Sequence, residues 1–482
     1  MTASSSQKPG QPTEPPRPLA VHGTVPLAPR LEPWMQELIA DPHAVRALIE
    51  KHGSPVNVLD PRPLARNAAE LVDAGTALGV DTRVFFARKA NKALAFVGAA
   101  RAAGHGVDVA SLNELRQVLA VGVPPKDVIL SAAIKDERLL RTAVKAGVVI
   151  SCDSRDELAR IAALGTPARI APRLAPDPTV LSPTRFGERL DVWRSIDWPD
   201  TVEAVGVHVH LHGYAESDRR LALAEAITLV KALRAAGHPA SFIDIGGGVP
   251  MSYLLHETQW EQYRDRIERQ RAGTGEPFTW KNDPLTNTYP FWQTPTRGEW
   301  FTQLLKGKVS GYGTAATALR EHSIALHLEP GRSLLDGCGM ILAEVSFLKE
   351  RSDGLPLIGL AMNRTQCRTA ADDLLLDPFL VPTAGEVERA PRTGFLVGAY
   401  CIEDEVILRR ALDFPDGIAV GDTLAIPNTA GYFMHILESA SHQIPLARNV
   451  VRTEAEAWEL DAIDREWIRV RASAPSPLDS AG

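Results

Sequence analysis

Cysteine is scarce in this sequence, and its few cysteines form no framework. The chain of 482 residues contains four, and no two of them make a Cys-x-x-Cys pair or the spacing of a zinc site: they are Cys152, Cys338, Cys367 and Cys401. Unpaired thiols are typical of a reducing compartment, so we expect a cytoplasmic protein without disulfide bonds or a metal.

Long apolar runs and an excess of positive charge are also missing. No stretch approaches the roughly 20 apolar residues of a membrane helix, so no membrane partner is expected. The net charge of -7 provides no basic field, which excludes nucleic acid as an expected partner. Residues 1–30 are rich in proline, serine and glutamine and lack an apolar signal core, so we expect a disordered tail rather than a secretion signal.

What the sequence does contain is an alternation of strand-like and helix-like segments. Helical patterns at 112–120, 137–146, 155–164 and 217–236 separate most of eight β-rich runs, and the chain is long enough for more than one domain. The eight runs are 84–88, 107–110, 128–131, 148–152, 168–174, 205–211, 242–245 and 325–328. This order predicts an α/β fold, a (β/α)8 TIM-like barrel over residues 61–339, although periodicity leaves an open doubly wound sheet as an alternative.

Two regions depart from this alternation. Short β-rich runs after Gly339 predict a C-terminal, mostly β domain over 340–482, and we assign residues 31–60, with their strand-like run 55–60, to the same domain. Residues 253–316 are rich in aromatic side chains and read as an insertion in the barrel. We favour a satellite core for this insertion over a lid or a subunit contact.

Candidate site residues fall at the C-terminal ends of the predicted barrel strands, the face that holds the active site in such barrels. Lys89 follows the first strand, where partial desolvation favours the neutral amine that attacks a carbonyl. Later strand ends carry the other candidates, which are Asp108, Arg173, His208, His210, Gly246, Gly247, Gly248, Glu329, Gly331 and Arg332.

These residue types together indicate one cofactor. The glycine triplet exposes backbone amides for an anion, and Arg332 offers a planar fork for phosphate. Taken singly, His210 could be a satisfied barrel histidine, and Glu329 and Arg332 could be a structural ion pair. With a nucleophilic lysine, however, a phosphate cradle, a flat histidine ring and a carboxylate indicate pyridoxal 5'-phosphate, whose ring acts as an electron sink when its nitrogen is protonated.

The chain resembles the fold-type III pyridoxal-phosphate decarboxylases, the group of diaminopimelate, ornithine and arginine decarboxylases. The matching segments lie between residues 55 and 445 and read FFARKANK, GVDVASLNEL, VGVHVHLHGY, IDIGGGVP, HLEPGR, GAYCIEDE and TAGY. The resemblance implies a barrel plus a β domain, a small-molecule amino-acid substrate, and a head-to-tail homodimer with shared active sites.

The resemblance also implies roles for individual residues. Lys89 forms the Schiff base with the cofactor, His210 stacks on its ring, and Glu329 faces its nitrogen. Cys401 enters the neighbouring subunit's site, where it reprotonates the carbanion after carbon dioxide leaves. The remaining cofactor-binding residues are Asp108, Gly246, Gly247, Gly248, Gly331, Arg332 and Tyr432.

Departures from the family pattern cluster on the substrate side. The serine that usually follows the stacking histidine is absent, because the sequence continues from His210 as Leu-His-Gly. The acidic residue that usually follows the cysteine is replaced by Ile402. The candidate substrate-binding residues are Arg173, Arg364, Arg368, Glu403 and Glu405. We therefore expect a pyridoxal-phosphate-dependent decarboxylase whose amino acid need not be diaminopimelate or ornithine.

Two other functions stay open at this stage. The first is an amino-acid racemase on the same barrel, which Glu329 disfavours because racemases of this fold place an arginine at the ring nitrogen. The second is a non-catalytic regulatory protein that binds the cofactor, which has no use for Glu329 and Cys401.

Overall fold

The computed structural model describes residues 18–369, 371 and 376–465. Its α-helices are Pro33–Ile39, Pro42–His52, Arg62–Ala77, Leu94–Ala102, Leu112–Ala120, Glu137–Ala146, Arg155–Ala162, Leu190–Arg194, Glu216–Ala235, Glu257–Arg271, Arg297–Lys306 and Ala315–Glu321. Short 3-10 turns occupy Arg88–Ala90, Pro125–Asp127, Trp280–Asn282, Arg364–Gln366 and Ser441–Gln443. Within the described ranges, no helix is both long and apolar enough to span a membrane.

Parallel strands form a closed barrel of eight positions, the sixth of which is interrupted. In chain order they are Thr82–Ala87, Gly106–Val109, Val128–Leu130, Val149–Cys152, Ala168–Pro172, Val202–Ala204 with Gly206–His208, Phe242–Asp244 and Ala325–Leu328. The first strand pairs with both the second and the eighth. A parallel bridge between Arg173 and His208 joins the fifth strand to the end of the sixth and closes the ring. The predicted barrel is confirmed, and the open sheet is excluded.

Local sequence explains how the barrel strands turn into helices at the mouth. The helices after the second, third and fourth strands begin behind Ser111, Asp136 and Ser154. Each of these side chains accepts a hydrogen bond from the backbone N–H three residues later, which satisfies one of the free donors of a helix start. The strands themselves are buried almost throughout, as expected for a parallel sheet covered by helices.

A ten-stranded sheet forms the predicted, mostly β domain. Its strands are His22–Gly23, Val56–Leu59, Gly339–Glu350, Pro356–Leu360, Phe379–Val381, Ala390–Val397, Leu412–Ile418, Thr423–Pro427, Arg448–Arg452 and Trp458–Leu460. The strand Val56–Leu59 precedes the barrel in the chain but lies between Gly339–Glu350 and Arg448–Arg452 in this sheet. A separate pair, Lys308–Val309 with Gly313–Thr314, lies outside both sheets.

The disordered tail predicted for residues 1–30 is too long. Residues 1–17 lie outside the described residues, whereas residues 18–27 pack on the β domain and residues 28–30 bond to the segment 252–259. Leu27 is fully buried, and the backbone amides of Gly23 and Leu27 donate to the Asp377 carboxylate at 3.0 and 2.9 Å. Apolar side chains among the prolines give this segment enough buried contact to offset the entropy of ordering it.

The aromatic segment 253–316 is neither a satellite core nor wholly an insertion. Helix Arg297–Lys306 packs against helices Arg62–Ala77 and Glu216–Ala235, so it belongs to the outer layer of the barrel. The buried aromatic residues of the segment join the main core, and they are Tyr253, Trp260, Tyr263, Phe278, Tyr289, Phe291, Trp300 and Phe301. Trp280 instead packs in the β domain, with its ring 5.3 Å from that of Phe395. The segment therefore fastens the barrel to the β domain.

Candidate active site

A cavity of about 420 Å³ opens at the C-terminal mouth of the barrel. It collects residues from the first, sixth, seventh and eighth strand ends and from the β domain. Of the predicted site residues, those that line it are Lys89, His210, Gly247, Gly248, Glu329, Gly331, Arg332 and Tyr432. Residues separated by more than 300 positions thus meet around one space.

Lys89 lies in the 3-10 turn that follows the first strand, and its Nζ lies 3.5 Å from Oδ2 of Asp108. Burial acts against the ammonium ion, but the charges of Asp108, Tyr432 and Glu329 outweigh it and raise the pKa of Lys89 above its usual value. The expectation that desolvation would favour the neutral amine of Lys89 is therefore wrong for the cofactor-free protein. The nearby carboxylates favour the cation.

Three buried carboxyl groups, from Asp108, Asp244 and Glu329, crowd the floor of the site. Burial, followed by the charges of Asp108 and Asp244, raises the pKa of Glu329 well above its usual value. Burial also raises the pKa of Asp244 to about 7, even though its Oδ1 accepts a hydrogen bond from Gly246 N at 2.7 Å. Neither oxygen of Glu329 has a hydrogen-bond partner among the described residues. An unpartnered buried carboxylate is costly, so this position favours a cationic N–H donor.

The two histidines of the sixth strand take different positions. Nδ1 of His208 lies 2.6 Å from Ser151 Oγ, and its Nε2 lies 3.6 Å from Oε2 of Glu329. The strand ends at His208, so His210 lies in the loop beyond it and lines the cavity. Burial and the charge of Lys89 lower the pKa of His210 to about 3, which keeps its ring neutral and suited to stacking. Ligand atoms of His208, His210 and Glu329 lie within 4.8 Å of one another, so the absence of a metal stays a prediction.

Backbone geometry makes the glycine triplet a cradle. Gly246 and Gly248 have positive φ angles of 66° and 73°, which other residues rarely adopt. A Cβ on Gly248 would lie 2.5 Å from Gly213 O, and one on Gly247 would lie 3.0 Å from Glu329 O. The cradle therefore needs glycine for close approach of the backbone as well as for its φ angles.

On the same side of the cavity, Arg332 is held among aromatic rings. Its Cζ lies 4.0 Å from the ring centroid of Tyr289, and its Nη1 donates to Tyr253 Oη at 3.3 Å. A Cβ on Gly331 would lie 2.6 Å from Tyr432 Oη, so Gly331 lets that tyrosine approach. Tyr289 packs against Arg332 without lining the cavity, and neither Trp280 nor Trp292 lines it. These aromatic residues therefore do not form a lid over the cavity, the alternative to a satellite core for this segment.

Arg173 does not take the substrate-binding position predicted for it. Its guanidinium donates to Ser131 O at 2.8 Å, to Ser151 Oγ at 3.2 Å and to Asp153 Oδ1 at 2.9 Å. The side chain is almost fully buried, and it does not line the cavity. Because its donors are already used within the barrel, Arg173 stabilises the fifth strand end instead of binding substrate.

Arg364 and Arg368 differ from their predicted role, because their guanidinium groups donate to carbonyls within the β domain, whereas the role of Glu405, on the loop that carries Cys401, stays a prediction. Oε1 of Glu405 accepts from Arg364 N at 2.7 Å, Arg364 Nη1 donates to Asp404 O at 3.0 Å, and Arg368 Nη2 donates to Val406 O at 2.7 Å. None of the three lines the cavity. Their hydrogen bonds shape the loop that carries Cys401.

That loop presents its other residues to solvent. Cys401, Ile402 and Glu403 are exposed, and none of them lines the cavity of its own chain. Asp404 is anchored on the barrel segment described above, because its Oδ1 accepts from Lys281 Nζ at 2.7 Å and from Trp280 Nε1 at 3.3 Å. The predicted contributions of Cys401 and Glu403 to a site stay predictions.

Sequence reasoning missed several residues around the cavity. Tyr214, Asp218 and Phe186 line it, as does the loop 181–184. The Phe186 ring meets that of His210 edge-on at 5.6 Å. Arg219 lies directly beneath the glycine cradle and is fully buried. A signal for Arg219 was present, since it precedes Leu223 by one helical turn on the apolar stripe of its helix.

The sequence is similar to a family model and to bacterial proteins. The family model for the pyridoxal binding domain of pyridoxal-dependent decarboxylases matches residues 66–277. The uncharacterized protein y4yA of Sinorhizobium fredii is 30% identical over 418 residues, which cover 84% of this chain and 89% of that protein. The diaminopimelate decarboxylase of Pseudomonas aeruginosa is 27% identical, over 82% of this chain and 87% of that enzyme.

Solved structures share the same fold. The diaminopimelate decarboxylase of M. jannaschii in complex with L-lysine has a TM-score of 0.65 at 21% identity, and the match covers 86% of this chain and 90% of that one. The arginine decarboxylase of Paramecium bursaria Chlorella virus bound to agmatine has a TM-score of 0.60 at 18% identity, over 85% of this chain and 99% of that one.

Proposed function

The chain belongs to the pyridoxal-dependent decarboxylase family, and we propose that it removes the carboxyl group of a free amino acid in the cavity beside Lys89. The observation that carries this proposal is Glu329, a buried carboxyl group whose two oxygens have no hydrogen-bond partner among the described residues, in the same cavity as a lysine and a glycine cradle. That arrangement fits a ligand with a cationic ring nitrogen at one end and an anion at the other.

The residues present fit pyridoxal 5'-phosphate. Lys89 would hold it through Nζ, and Gly247, Gly248 and Arg332 would bind its phosphate. When bound, this cofactor supplies the electron sink that cleavage of a carboxylate from an amino acid requires. His210 is neutral and flat, so it can pack against a ring without adding charge. Asp108 keeps the Lys89 side chain in place through the 3.5 Å contact.

Glu329 would hold a proton on the ring nitrogen. Its raised pKa reflects burial beside Asp108 and Asp244, and a cationic N–H within hydrogen-bonding reach would lower that pKa again. The same feature disfavours a racemase, since racemases of this fold use an arginine at this position. A decarboxylase is therefore the better fit to this residue.

The loop after Cys401 suggests the kind of side chain the substrate has. Ile402 replaces the acidic residue usual in the family, Glu405 faces inward, and Asp404 is paired with Lys281. Of the two exposed acids on this loop among the described residues, Glu403 and Asp404, only Glu403 has no lysine partner. We infer a substrate whose distal end is less cationic than that of ornithine, because a charge buried against Ile402 would lack a partner.

A substrate panel tests both the activity and this preference. We expect carbon dioxide release from amino acids with a neutral or apolar distal end, and poor release from ornithine, lysine and diaminopimelate. Ile402→Asp should raise kcat/KM for ornithine or lysine by about 10- to 100-fold, since a hydrogen bond to a charged group is worth roughly 1.5–3 kcal/mol.

Glu403→Gln is the matched control for that variant, and it should leave the preference of the wild type unchanged. Efficient release from ornithine by the wild type, with a loss in Glu403→Gln and no gain in Ile402→Asp, would contradict the inferred substrate class. No release from any amino acid by the cofactor-loaded protein would contradict the decarboxylase itself.

We also propose that Cys401 acts in the site of a partner subunit in a homodimer. Support comes from its exposure and from its position outside the cavity of its own chain. In that site its Sγ would supply the proton that replaces the lost carboxyl group.

Subunit mixing tests the shared site. Lys89→Ala and Cys401→Ala should each be inactive alone, and an equal mixture should regain about a quarter of wild-type activity, because half the dimers are mixed and each has one complete site. The measurement is activity after subunit exchange demonstrated with differently tagged chains. A mixture that exchanges subunits but stays inactive would rule out the shared site.

A further inference from the structure

Arg219 is a fully buried guanidinium with an unusual set of partners. It forms no ion pair with any carboxylate of the described residues, and its acceptors are four backbone carbonyls. Nη1 donates to Ala215 O at 3.1 Å, and Nη2 lies 2.7 Å from Gly213 O, 3.2 Å from Gly247 O and 3.4 Å from Gly248 O. Burial lowers the pKa of Arg219 to about 10, so the side chain still carries its charge at neutral pH.

The position of this charge is unfavourable by itself. Arg219 lies in the first turn of helix Glu216–Ala235, where the helix dipole disfavours a cation. Its Cζ lies 5.6 Å from the ring of Trp300, whose Nε1 donates to Tyr214 O at 2.7 Å. Asp218 and Glu216 in the same turn favour the cation without pairing with it, and an anion bound nearby would offset the remaining cost of burial.

The carbonyl contacts fix the direction of three peptide units. A trans peptide holds its C=O and N–H in opposite directions. When the carbonyls of Gly213, Gly247 and Gly248 face Arg219, the amides of Tyr214, Gly248 and Val249 therefore face away from it. All five of these residues line the cavity, and the three amides donate to no described acceptor.

We propose that Arg219 is a positioning residue, which sets these three amides as donors for the phosphate of the cofactor and supplies a second positive charge beneath them. It would thereby replace the serine that this chain lacks after His210. The proposal rests on the proposed function in taking this cavity as the cofactor site. Arg219 is expected to act on the phosphate end alone, since its contacts are confined to the cradle and the loop beside it.

Comparing two ligands that differ only in the phosphate tests this role. We measure Kd for pyridoxal 5'-phosphate and for pyridoxal by fluorescence titration of the cofactor-free protein. Arg219→Met should weaken binding of the phosphorylated ligand at least tenfold and change that of pyridoxal less than twofold. Arg219→Lys keeps the charge but lacks the planar fork, so it should fall between the wild type and Arg219→Met.

Arg234→Met is the matched control. Arg234 belongs to the same helix and also donates to three backbone carbonyls, those of Ala240, His322 and Ser323, but it does not line the cavity. Replacement of an arginine with a purely structural role should weaken the binding of both ligands equally, or of neither.

Each outcome decides the matter. Equal loss of both ligands in Arg219→Met, or a phosphate-specific loss in Arg234→Met as well, would overturn the positioning role. If Arg219→Met does not fold, a ratio of the two Kd values in Arg219→Lys identical to that of the wild type would overturn it. A wild type that binds pyridoxal 5'-phosphate no better than pyridoxal would overturn this role and the proposed cofactor site together.

Discussion

Lys89→Ala is expected to remove the absorbance of the bound cofactor and to lower the decarboxylation rate by about three orders of magnitude or more, as for loss of other nucleophiles. Lys89 is the lysine that lines the cavity with Glu329, His210 and the glycine cradle. The free energy of unfolding of the cofactor-free protein should also fall at neutral pH, because the cation that faces Asp108 and Glu329 is lost. Absorbance spectra, turnover and denaturant unfolding measure the three effects.

The pH of the unfolding measurement follows from the pKa of Lys89. That pKa is raised in the folded protein, so the stabilisation is complete below about pH 10, the usual lysine value, and is lost only as the pH rises further. A comparison at pH 7 therefore reports the full effect.

Two variants separate the covalent role of Lys89 from its charge. Lys89→Arg keeps a cation beside Asp108 but cannot attack a carbonyl, so it should lose the absorbance while keeping most of the stability. Lys92→Ala removes a neighbouring lysine that pairs with Glu438, and it should keep the cofactor. Normal absorbance in Lys89→Ala, or its loss only in Lys92→Ala, would show that another lysine holds the cofactor.

Glu329→Gln is expected to have opposite effects on catalysis and stability. Loss of the carboxylate should raise the activation free energy of decarboxylation by about 2–4 kcal/mol, as for other groups that stabilise developing charge. The rate should therefore fall roughly 30- to 1,000-fold. Most cofactor binding should remain, because the phosphate cradle and Lys89 are unchanged. The cofactor-free protein should instead become more stable, since the pKa of Glu329 is raised in the folded state and its ionised form is disfavoured there.

The gain in the free energy of unfolding depends on pH. The cost of ionising Glu329 on folding arises only above the usual glutamate pKa, about 4.3, so the gain in Glu329→Gln should be present at pH 7 and absent below about pH 4. Glu329→Asp, which keeps the charge, should recover part of the rate. An unchanged rate in Glu329→Gln would show that the ring proton is held by another group.

The order of elements predicted the barrel because each strand pairs with its neighbour in the chain. The first four strands follow one another around the ring. A regular alternation of strands and helices in the sequence is therefore enough to predict their order. Closure could not be predicted, because it depends on the bridge between Arg173 and His208, which periodicity does not report.

The sequence predicted site residues correctly where a strand end points its side chain into the cavity. The prediction failed where the side chain points elsewhere, because sequence spacing does not show that direction. Lys89 and Glu329 follow their strands and face the cavity. Arg173 also lies at a strand end, but Ser131, Ser151 and Asp153 already bind its guanidinium, and sequence spacing shows neither partner nor direction. The same holds for Arg368, whose donor is used by a carbonyl of its own domain.

The segment 253–316 shows a second limit. Its aromatic content indicated a separate small core, yet hydrophobicity alone does not say which surface a side chain will cover. Tyr289 packs against Arg332 and Trp280 packs against Phe395, so one segment serves the barrel and the β domain together.

The β-domain strand Val56–Leu59 leaves the ribosome long before its neighbours in the sheet exist. Asn57 donates to Asn449, which lies 392 positions later, and Ser54 donates to Ala361, 307 positions later. At a synthesis rate of about 5–20 residues per second, Asn449 is made roughly 20–80 s after Asn57. The barrel strands are all made within that interval, so the barrel can form before the domain that carries Cys401, and that supplies Tyr432 to the pocket, is finished.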